Sequence, residues 1–267
     1  MSDGQPGDAI GLVVAMEAEL IHALRMHPPV HTEQRDIWQF HHLEVGRHEV
    51  IALRSGMGLI NAAAATERLI AEYRPRILLN YGCSGAHRRE IMPGDLVIGR
   101  RVVHHSALQI LADGSERYAG YNYDVAGERM DSPELATDAA LLTAAEILAA
   151  RFEPEPWPDQ LFWPKSAPRR APAIHRGVVA SADVWTQHIE RLELLHARHA
   201  SLCEDMEAAA VAQVCALHSV PFLTVKDISN NEYLQASDIE GFTDFPVEEI
   251  GKRAAAFICQ LIIDLPA

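Results

Sequence analysis

The sequence predicts an α/β fold, a single three-layer α/β/α domain built on a mixed, largely parallel central sheet. Short apolar runs typical of buried strands alternate along the chain with longer segments typical of helices. Polar residues follow several of these strands at their carboxyl ends, where open α/β sheets bind ligands. The chain has 267 residues and 48% hydrophobic content, and no charge run, repeat or low-complexity segment divides it. We therefore expect one domain over residues 1–267.

The first quarter of the chain predicts strands and a helix that start the sheet. Residues 9–15 are a short continuous apolar run, which predicts a buried first strand. Met16 and Glu19 follow it directly, in a segment predicted to turn into a helix through Leu24. Two further strands are expected around residues 37–43 and 49–53. Glu19 should therefore lie at the carboxyl end of the first strand.

The middle of the chain continues the alternation. A Ser-Gly-Met-Gly loop at residues 55–58 precedes a predicted helix at 59–73, and residues 77–81 predict a buried strand that runs into Gly-Cys-Ser-Gly-Ala. Glycine and small residues there, including Cys83 and Ser84, allow a ligand to approach the backbone closely. Predicted elements follow at 96–99 (strand) and 136–150 (helix). Residues 153–173 are rich in proline, which indicates an excursion over the surface that serves as a lid or an interface arm.

The last third carries the stretch around which we expect the site to form. A strand at 175–180 leads to Trp185, and a helix is expected at 189–196. From Leu202 the chain is predicted to form a helix with Glu204, Asp205 and Glu207 in its first turn, where acids suit the positive end of the helix dipole. A core strand at 222–225 then ends in Ser229 and Asn230, and a closing helix is expected at 247–263.

Composition excludes several classes of function. A formal net charge of −14 argues against nucleic acid as a partner, since nucleic-acid-binding proteins carry a basic face. The apolar runs are too short to span a membrane, and the first eight residues do not form a signal peptide. The four cysteines are scattered inside apolar runs, as reduced core thiols of a cytoplasmic protein would be. The fourteen histidines lack the spacing of a zinc site, so we expect no metal and no cofactor.

Six motifs in this order resemble those of the purine and uridine phosphorylase superfamily. They are Val-Ala-Met-Glu-Ala-Glu, Ser-Gly-Met-Gly, Asn-Tyr-Gly-Cys-Ser-Gly-Ala, Pro-Gly-Asp-Leu-Val, Ser-Ala-Asp-Val-Trp and Asp-Met-Glu-Ala-Ala-Ala-Val-Ala. Within the superfamily the chain is most similar to 5′-methylthioadenosine/S-adenosylhomocysteine nucleosidases. The matches run from about Gly11 to Ser229, and residues 117–173 have no counterpart. The resemblance implies a nucleoside phosphorylase-like fold, a cytoplasmic homodimer, and hydrolysis of the N-glycosidic bond of a purine nucleoside by water.

The resemblance also implies roles for individual residues. Met206 and Glu207 match the family's Met-Glu pair, whose carboxylate holds the ribose hydroxyls, and Glu19 matches the carboxylate that activates water. Trp185 stands where the family places an aromatic residue against the base. Residues lining the rest of the substrate pocket are then Met16, Cys83, Ser84 and Ser229. These roles suit the chemistry, because the reaction builds positive charge on the ribose and needs a general base for water.

One position departs from the nucleosidase pattern. The nucleosidases carry Ser-Asp after the last strand, and that Asp protonates N7 of adenine, whereas this chain has Ser229-Asn230. An amide can donate and accept hydrogen bonds but supplies no proton. The pattern resembles the superfamily's 6-oxopurine enzymes and the futalosine hydrolases. Either the base is a 6-oxopurine, or another acid serves adenine, for which Asp227 is the close candidate.

Two other functions are compatible with the same motifs. A phosphate-dependent nucleoside phosphorylase would need cations for its phosphate, but Asn80 stands where bacterial phosphorylases have Arg, and Glu19 would repel phosphate. A non-catalytic binding protein could use the same fold, since fold alone does not fix function. Retention of both Glu19 and Glu207 argues against that alternative. The sequence does not fix the 5′ substituent of the substrate.

Overall fold

The computed structural model describes residues 7–161, 163, 167–234 and 246–266. The strands in these ranges are β1 Ile10–Val14, β2 His31–Arg35, β3 Trp38–Val45, β4 His48–Arg54, β5 Ile77–Ala86, β6 Leu96–His104, β7 Leu108–Ile110, β8 Glu116–Tyr118, β9 Tyr121–Val125, β10 Glu128–Ser132, β11 Leu135–Ala136, β12 Ile174–Ser181, β13 Ser201–Asp205 and β14 Phe222–Asn230. The helices are α1 Glu17–Met26, α2 Leu59–Tyr73, α3 Ala139–Ala149, α4 Ile189–His199, α5 Ala208–Leu217 and α6 Lys252–Asp264.

Ten strands form one mixed sheet, which confirms the predicted fold class. Its order is β11-β6-β12-β13-β5-β1-β4-β3-β2, and β14 pairs with both β5 and β6. The pairs β1–β4, β1–β5, β5–β14 and β6–β12 are parallel, whereas β13–β5 and β14–β6 are antiparallel. Five of these strands pair in a closed cycle, from β6 through β12, β13, β5 and β14 back to β6. This half of the sheet therefore closes into a ring, which the sequence analysis did not predict.

The sheet is covered by helices on both sides, because its central strands are apolar on both faces. On one side, Leu12 of β1 and Leu79 of β5 belong to a buried cluster with residues of α1, α3 and α6. On the other, Val13 and Leu78 belong to a second cluster with residues of α2 and α5. Neighbouring residues of a strand point to opposite faces, so each strand serves both clusters.

The prediction that a helix begins at Leu202 is wrong. Residues 202–205 lie in β13, which pairs with β12 and β5, and helix α5 begins only at Ala208. Glu204 and Asp205 are therefore strand residues, and Glu207 occupies the N-cap of α5. A short acidic stretch has no strong local preference, and its pairing between two core strands decides its structure. Six of the ten residues of α5 are buried.

Other boundaries differ for local reasons. The closing helix begins at Lys252 and not at residue 247, since Gly251 at its N-cap has φ 70°, a left-handed conformation. Helix α3 begins at Ala139, after the Asp138 carboxylate accepts hydrogen bonds from the Ala140 and Leu141 amides. Strand β2 was missed because its sequence, His-Thr-Glu-Gln-Arg, is polar throughout. Helix α2 has the predicted bounds, 59–73, whereas β5 continues five residues beyond the predicted 77–81 and ends at Ala86.

The proline-rich excursion is anchored to helix α6. Arg253, which is buried, donates hydrogen bonds to the carbonyl oxygens of Glu155 (2.6 Å) and Pro156 (3.0 Å), and its guanidinium lies 5.0 Å from the ring centroid of Trp157. Residues 162 and 164–166 of the excursion lie outside the described residues. Its role as a lid or interface arm stays a prediction. In the part of the chain that the structure describes, no helix is long and apolar enough to cross a bilayer.

Candidate active site

Glu19 is held just after β1 and against β5 by two backbone amides. Its Oε1 accepts a hydrogen bond from the Cys83 amide (2.7 Å) and its Oε2 from the Met16 amide (3.0 Å). The side chain is buried against β5, and a Cβ at Gly82 would lie 2.8 Å from its Oε1. Burial raises the pKa of Glu19, against the opposing effect of the Cys83 amide. A fixed carboxyl group of raised pKa suits a general base.

Glu207 is the second buried carboxylate, at the N-terminal end of helix α5. Its Oε1 accepts a hydrogen bond from the Gly58 amide (2.8 Å), just before α2 begins. Gly58 has φ 96°, and a Cβ there would lie 2.8 Å from Oδ1 of Asp183, so this junction favours glycine. Burial raises the pKa of Glu207, and the neighbouring Asp205 raises it further. One Glu207 oxygen is thus held by backbone, while its other oxygen has no hydrogen-bond partner among the described residues and is available to a ligand.

A buried polar network lies between the two carboxylates, and sequence reasoning missed it. Lys226 Nζ contacts Asp205 Oδ2 (2.6 Å) and donates to Asn80 Oδ1 (2.8 Å), and Asn80 Nδ2 donates to the Val13 carbonyl (3.0 Å). Burial alone would lower the pKa of Lys226, but Asp205 and then Glu207 raise it, so the ammonium stays charged. A lysine inside the apolar run of β14 was the signal that could have revealed this network.

Asn80 is buried, and both the oxygen and the nitrogen of its amide are bonded within the fold. Its amide oxygen accepts from Thr224 Oγ1 (2.7 Å) and from Lys226, and its amide nitrogen is bonded to β1. It ties three neighbouring strands together beneath the site. The cation of this network, Lys226, is already paired with Asp205.

Ser229 and Asn230 end β14, as predicted, and bond to each other and to β5. The Ser229 hydroxyl donates to Asn230 Oδ1 (2.8 Å) and lies 3.2 Å from the Ser84 carbonyl oxygen. Asn230 Nδ2 donates to Glu232 Oε1 (3.0 Å). The amide is therefore oriented, with its oxygen toward Ser229 and its NH2 group toward Glu232. Asp227 points elsewhere, since its Oδ2 accepts from the Arg253 amide (2.9 Å) at the start of α6.

The remaining predicted pocket residues lie on the connected loops and strand ends. Trp185 is 44% exposed, and its neighbour Thr186 donates both its amide (2.6 Å) and its hydroxyl (3.0 Å) to Glu204. Ser84 is buried, and its Oγ has no hydrogen-bond partner among the described residues. Cys83 is half-buried, and burial, followed by Glu19, raises the pKa of its thiol well above the ordinary value. Met16 and Met206 are half-buried beside Glu19 and Glu207.

The structure thus brings the predicted residues into two bonded groups. Met16, Glu19 and Cys83 form one, and Ser84, Ser229 and Asn230 form the other. Glu207 joins neither by a direct bond, but the Gly58 amide links it to the start of α2. The loop that carries Trp185 is also bonded to the start of α2, because Asp183 Oδ1 accepts a hydrogen bond from the Leu59 amide (2.7 Å). Among the described residues, no three His, Cys, Asp or Glu side chains are grouped as metal ligands would be.

Comparison with known proteins gives one consistent result. The model of a family described as the phosphorylase superfamily matches residues 9–265. A 5′-methylthioadenosine/S-adenosylhomocysteine nucleosidase of Geobacillus kaustophilus is 32% identical over 184 residues, which are 68% of this chain and 67% of that protein.

Two solved structures share the fold. A nucleosidase of the same name from Neisseria meningitidis, in complex with methylthio-immucillin-A, gives a TM-score of 0.75 at 23% identity, covering 97% of this chain and 100% of that one. Futalosine hydrolase of Helicobacter pylori also gives 0.75, at 20% identity, covering 97% of this chain and 98% of that one.

Proposed function

Because this chain belongs to the phosphorylase superfamily, we propose that it hydrolyses the N-glycosidic bond of a purine nucleoside, as 5′-methylthioadenosine/S-adenosylhomocysteine nucleosidases do. The observation that carries the proposal is the pair of buried carboxylates, Glu19, which is fixed by two backbone amides, and Glu207, which is fixed by one. Hydrolysis of this bond needs one carboxylate near the ribose and one near the water. The chain supplies both on separate, rigid elements.

In this mechanism Glu207 binds the ribose hydroxyls and stabilises the positive charge that develops on the sugar. Its Gly58 bond leaves one oxygen available for the hydroxyls. Preorganised charge is most effective in a dry site, and Glu207 is buried. Glu19 takes a proton from the attacking water, for which its raised pKa suits it. Met16, Cys83, Ser84 and Met206 line the sugar and water positions.

The base is held by Trp185 and by the end of β14. Trp185 provides a flat, amphipathic surface for stacking. Asn230 offers its amide to the departing base, with Ser229 fixing the amide's orientation. This arrangement stabilises a base that leaves as an anion by hydrogen bonding, without transfer of a proton from the side chain.

A second candidate, a 6-oxopurine nucleosidase, is favoured by Asn230 in particular. An amide NH2 can donate to O6 of hypoxanthine or guanine, whereas adenine presents an amino group at the same place. Asp227, the alternative acid for adenine, is bonded to the start of α6 and not to the end of β14. The second candidate shares the hydrolytic chemistry and differs in the base alone.

A phosphorylase is disfavoured, because Asn80 is a neutral amide bonded to Val13, Thr224 and Lys226, and because the Lys226 cation is paired with Asp205. The test is a panel of purine nucleosides incubated in phosphate-free buffer and in phosphate, with product sugars identified by mass spectrometry. We expect base release at the same rate in both buffers and a free sugar as product. Ribose 1-phosphate as the main product would refute hydrolysis, and no release from any nucleoside would favour a binding protein. Glu19→Gln is the matched inactive control.

We further propose that the chain is one domain and works as a cytoplasmic homodimer without metal or cofactor. All four cysteines are free thiols, as in proteins of a reducing compartment. Exposed apolar side chains cluster near the site at Met57, Ile60 and Val184, where a partner subunit could cover them. Light scattering after size exclusion tests the dimer, since a monomer at micromolar concentration would refute it. Activity that survives EDTA treatment tests the absence of a metal.

A further inference from the structure

A buried arginine in the first turn of α6 has no part in the mechanism proposed above. Arg253 is the second residue of the helix, and its side chain is fully buried. It donates hydrogen bonds from Nε to the Glu155 carbonyl oxygen (2.6 Å) and from Nη2 to the Pro156 carbonyl oxygen (3.0 Å). Nη2 also donates to Glu249 Oε2 (2.8 Å). A cation is disfavoured at the positive end of a helix and costly to bury, so its position requires an explanation beyond the stability of α6.

The proline-rich excursion, residues 153–173, is held near its other end as well. Asp95 is fully buried and accepts two hydrogen bonds from the Arg170 guanidinium (2.6 and 2.5 Å). Gly94 precedes Asp95, and a Cβ at Gly94 would lie 3.3 Å from Arg253 Nε. The two anchors, Asp95 and Arg253, are therefore neighbours, and both anchored parts of the excursion converge on the turn that leads into β6.

The start of α6 is also in contact with the proposed general base. Gly251, at the N-cap, has φ 70°, and a Cβ there would lie 3.0 Å from Cγ and 3.1 Å from Cβ of Glu19. The backbone of Gly251 is therefore packed directly against the stem of Glu19, where no side chain would fit. The Arg253 amide is bonded to Asp227 Oδ2 (2.9 Å), which fixes the same turn to β14. Any shift of this turn would change the wall against which Glu19 is packed.

An arginine is suited to hold this turn because its guanidinium bonds in several directions at once. The planar group carries five N–H donors, whereas a lysine ammonium is a compact charge with three. Here the donors reach two carbonyl oxygens of the excursion and, on Glu249, both the carbonyl oxygen (from Nη1, 3.3 Å) and the carboxylate. Glu249 lies in the segment that leads into α6. The side chain thus bonds the excursion to the helix start, and the ring centroid of Trp157 lies 5.0 Å from the guanidinium carbon.

We propose that Arg253 is a positioning residue for Glu19: by bonding the excursion to the first turn of α6, it keeps Gly251 against Glu19 and the carboxylate aimed at the attacking water. The inference rests on the proposed function, in which Glu19 is the general base. Arg253 contacts neither the substrate nor the reacting atoms in this mechanism. Its replacement should therefore slow the chemical step and leave substrate binding by Glu207 and Trp185 unchanged.

The first experiment measures kcat and KM of Arg253→Lys with the purine nucleoside that wild type cleaves fastest. Lysine keeps the charge but cannot bond the excursion and Glu249 together. We expect kcat to fall by about 10- to 100-fold, since a misplacement of about 1 Å has an effect of that order, while KM changes by less than about twofold. Arg151→Lys is the matched control, because Arg151 is exposed and bonds to Asp264 at the opposite end of α6, and it should keep the wild-type kcat. An unchanged kcat in Arg253→Lys, or an equal loss in both variants, would overturn the inference.

The pH dependence of kcat/KM distinguishes positioning from a general loss of structure. A general base acts in its deprotonated form, so the acid limb of the profile follows the pKa of Glu19. Burial raises that pKa, and a less tightly covered Glu19 in Arg253→Lys is more hydrated, so its pKa falls toward the ordinary value and the limb moves to lower pH. The other titratable groups near Glu19 are the same in both proteins; they are Cys83, Tyr81, Lys226 and Glu207. An unmoved limb would overturn the inference, because Arg253 would then affect only the stability of the fold.

Gly251→Ala tests the contact with Glu19 while the Arg253 side chain is unchanged. The new methyl group would lie 3.0 Å from Cγ of Glu19, so it must displace that side chain or the turn. We expect the same loss of kcat and the same shift of the acid limb as for Arg253→Lys. Gly127→Ala is the matched control, since Gly127 also has a positive φ (86°) but nothing lies within 4 Å of the added Cβ. Wild-type kinetics in Gly251→Ala would contradict the inference.

Alkylation of Cys83 by iodoacetamide tests the position of Glu19 without any turnover. Burial and then Glu19 raise the pKa of the Cys83 thiol, and the thiolate is the reactive form. Displacement of Glu19 should therefore speed alkylation of Cys83 in Arg253→Lys and Gly251→Ala, by about tenfold for each unit by which the thiol pKa falls. The other three cysteines are buried and serve as internal references in the mass spectra. A wild-type rate at Cys83, or a faster reaction of all four cysteines, would overturn the inference.

These measurements keep failure of this inference separate from failure of the proposed function. If wild type cleaves no nucleoside, the proposed function fails, and the alkylation rates alone decide whether Arg253 holds Glu19. If Arg253→Lys does not fold, Trp157→Leu takes its place, because it keeps an apolar side chain, leaves Arg253 unchanged and loosens the excursion at the same point. The same selective changes are expected from it, and their absence would overturn the inference.

Discussion

Replacement of Asp227 by Asn should remove a pH-dependent loss of stability. Asp227 is 1% exposed, its Oδ1 has no hydrogen-bond partner among the described residues, and its Oδ2 accepts from the Arg253 amide. Burial, opposed by Arg253, raises its pKa from the ordinary 3.8 to about 7. Between these values the native state keeps a proton that the unfolded chain releases. The stabilisation is therefore complete below pH 3.8 and is lost as the pH rises through 7.

The size of the effect follows from the two pKa values. Each pKa unit corresponds to about 1.4 kcal/mol, so the loss between pH 4 and pH 8 is ~4 kcal/mol at most. Asn does not titrate, and its amide oxygen can still accept from Arg253. From pH 4 to pH 8 the free energy of unfolding should therefore decrease less for Asp227→Asn than for wild type. The difference between the two decreases should be ~4 kcal/mol at most.

Urea denaturation followed by tryptophan fluorescence at several values between pH 4 and pH 8 measures the difference. Asp131→Asn is the control, since Asp131 is exposed on β10 and its replacement should change stability by less than about 0.5 kcal/mol at any pH. Parallel pH profiles for Asp227→Asn and wild type would refute the reasoning. The same variant should keep its nucleosidase activity, because Asp227 faces α6. A folded variant inactive on 5′-methylthioadenosine would instead identify Asp227 as the acid for adenine.

Four other outcomes are expected from single substitutions. Glu19→Gln and Glu207→Gln should each lower kcat by about a hundredfold or more while the melting temperature stays close to that of wild type, and a folded variant with near wild-type rates would contradict its role. Trp185→Ala should raise KM much more than it lowers kcat, through lost stacking surface; a change confined to kcat would argue against stacking. Asn230→Asp should shift the kcat/KM ratio toward 5′-methylthioadenosine, and an unchanged ratio would mean that the side chain does not contact the base. Lys226→Met should destabilise the fold by about 3–5 kcal/mol in denaturant titrations, because it leaves a buried carboxylate without its cation; a cost below about 1 kcal/mol would refute this.

Much of the fold could be predicted because its central strands are apolar on both faces. A continuous apolar run such as 77–81 predicts a strand that is buried between two helical layers. The acids and amides just after such strands could be assigned to the site for the same reason, since parallel strands end at one edge. Glu19 and Asn230 were assigned to strand ends in this way.

The parts that could not be predicted depend on long-range pairing. The stretch at β13 is short and acidic, and only its position between β12 and β5 makes it a strand. Since the segment was assigned to a helix, Glu204 was interpreted as part of a helix N-terminus, and its contact with Thr186 stayed hidden. The Lys226 network was missed because its partners are about 20 and 146 residues away in sequence. The closed ring of strands likewise follows from β14 pairing on both sides.

The bare backbone at Gly85 has a consequence for protein engineering. A library that varies position 85 should yield few functional clones, because any side chain there would crowd the Asn230 amide. That amide is bonded to Ser229 and Glu232, so it cannot move aside without losing these hydrogen bonds.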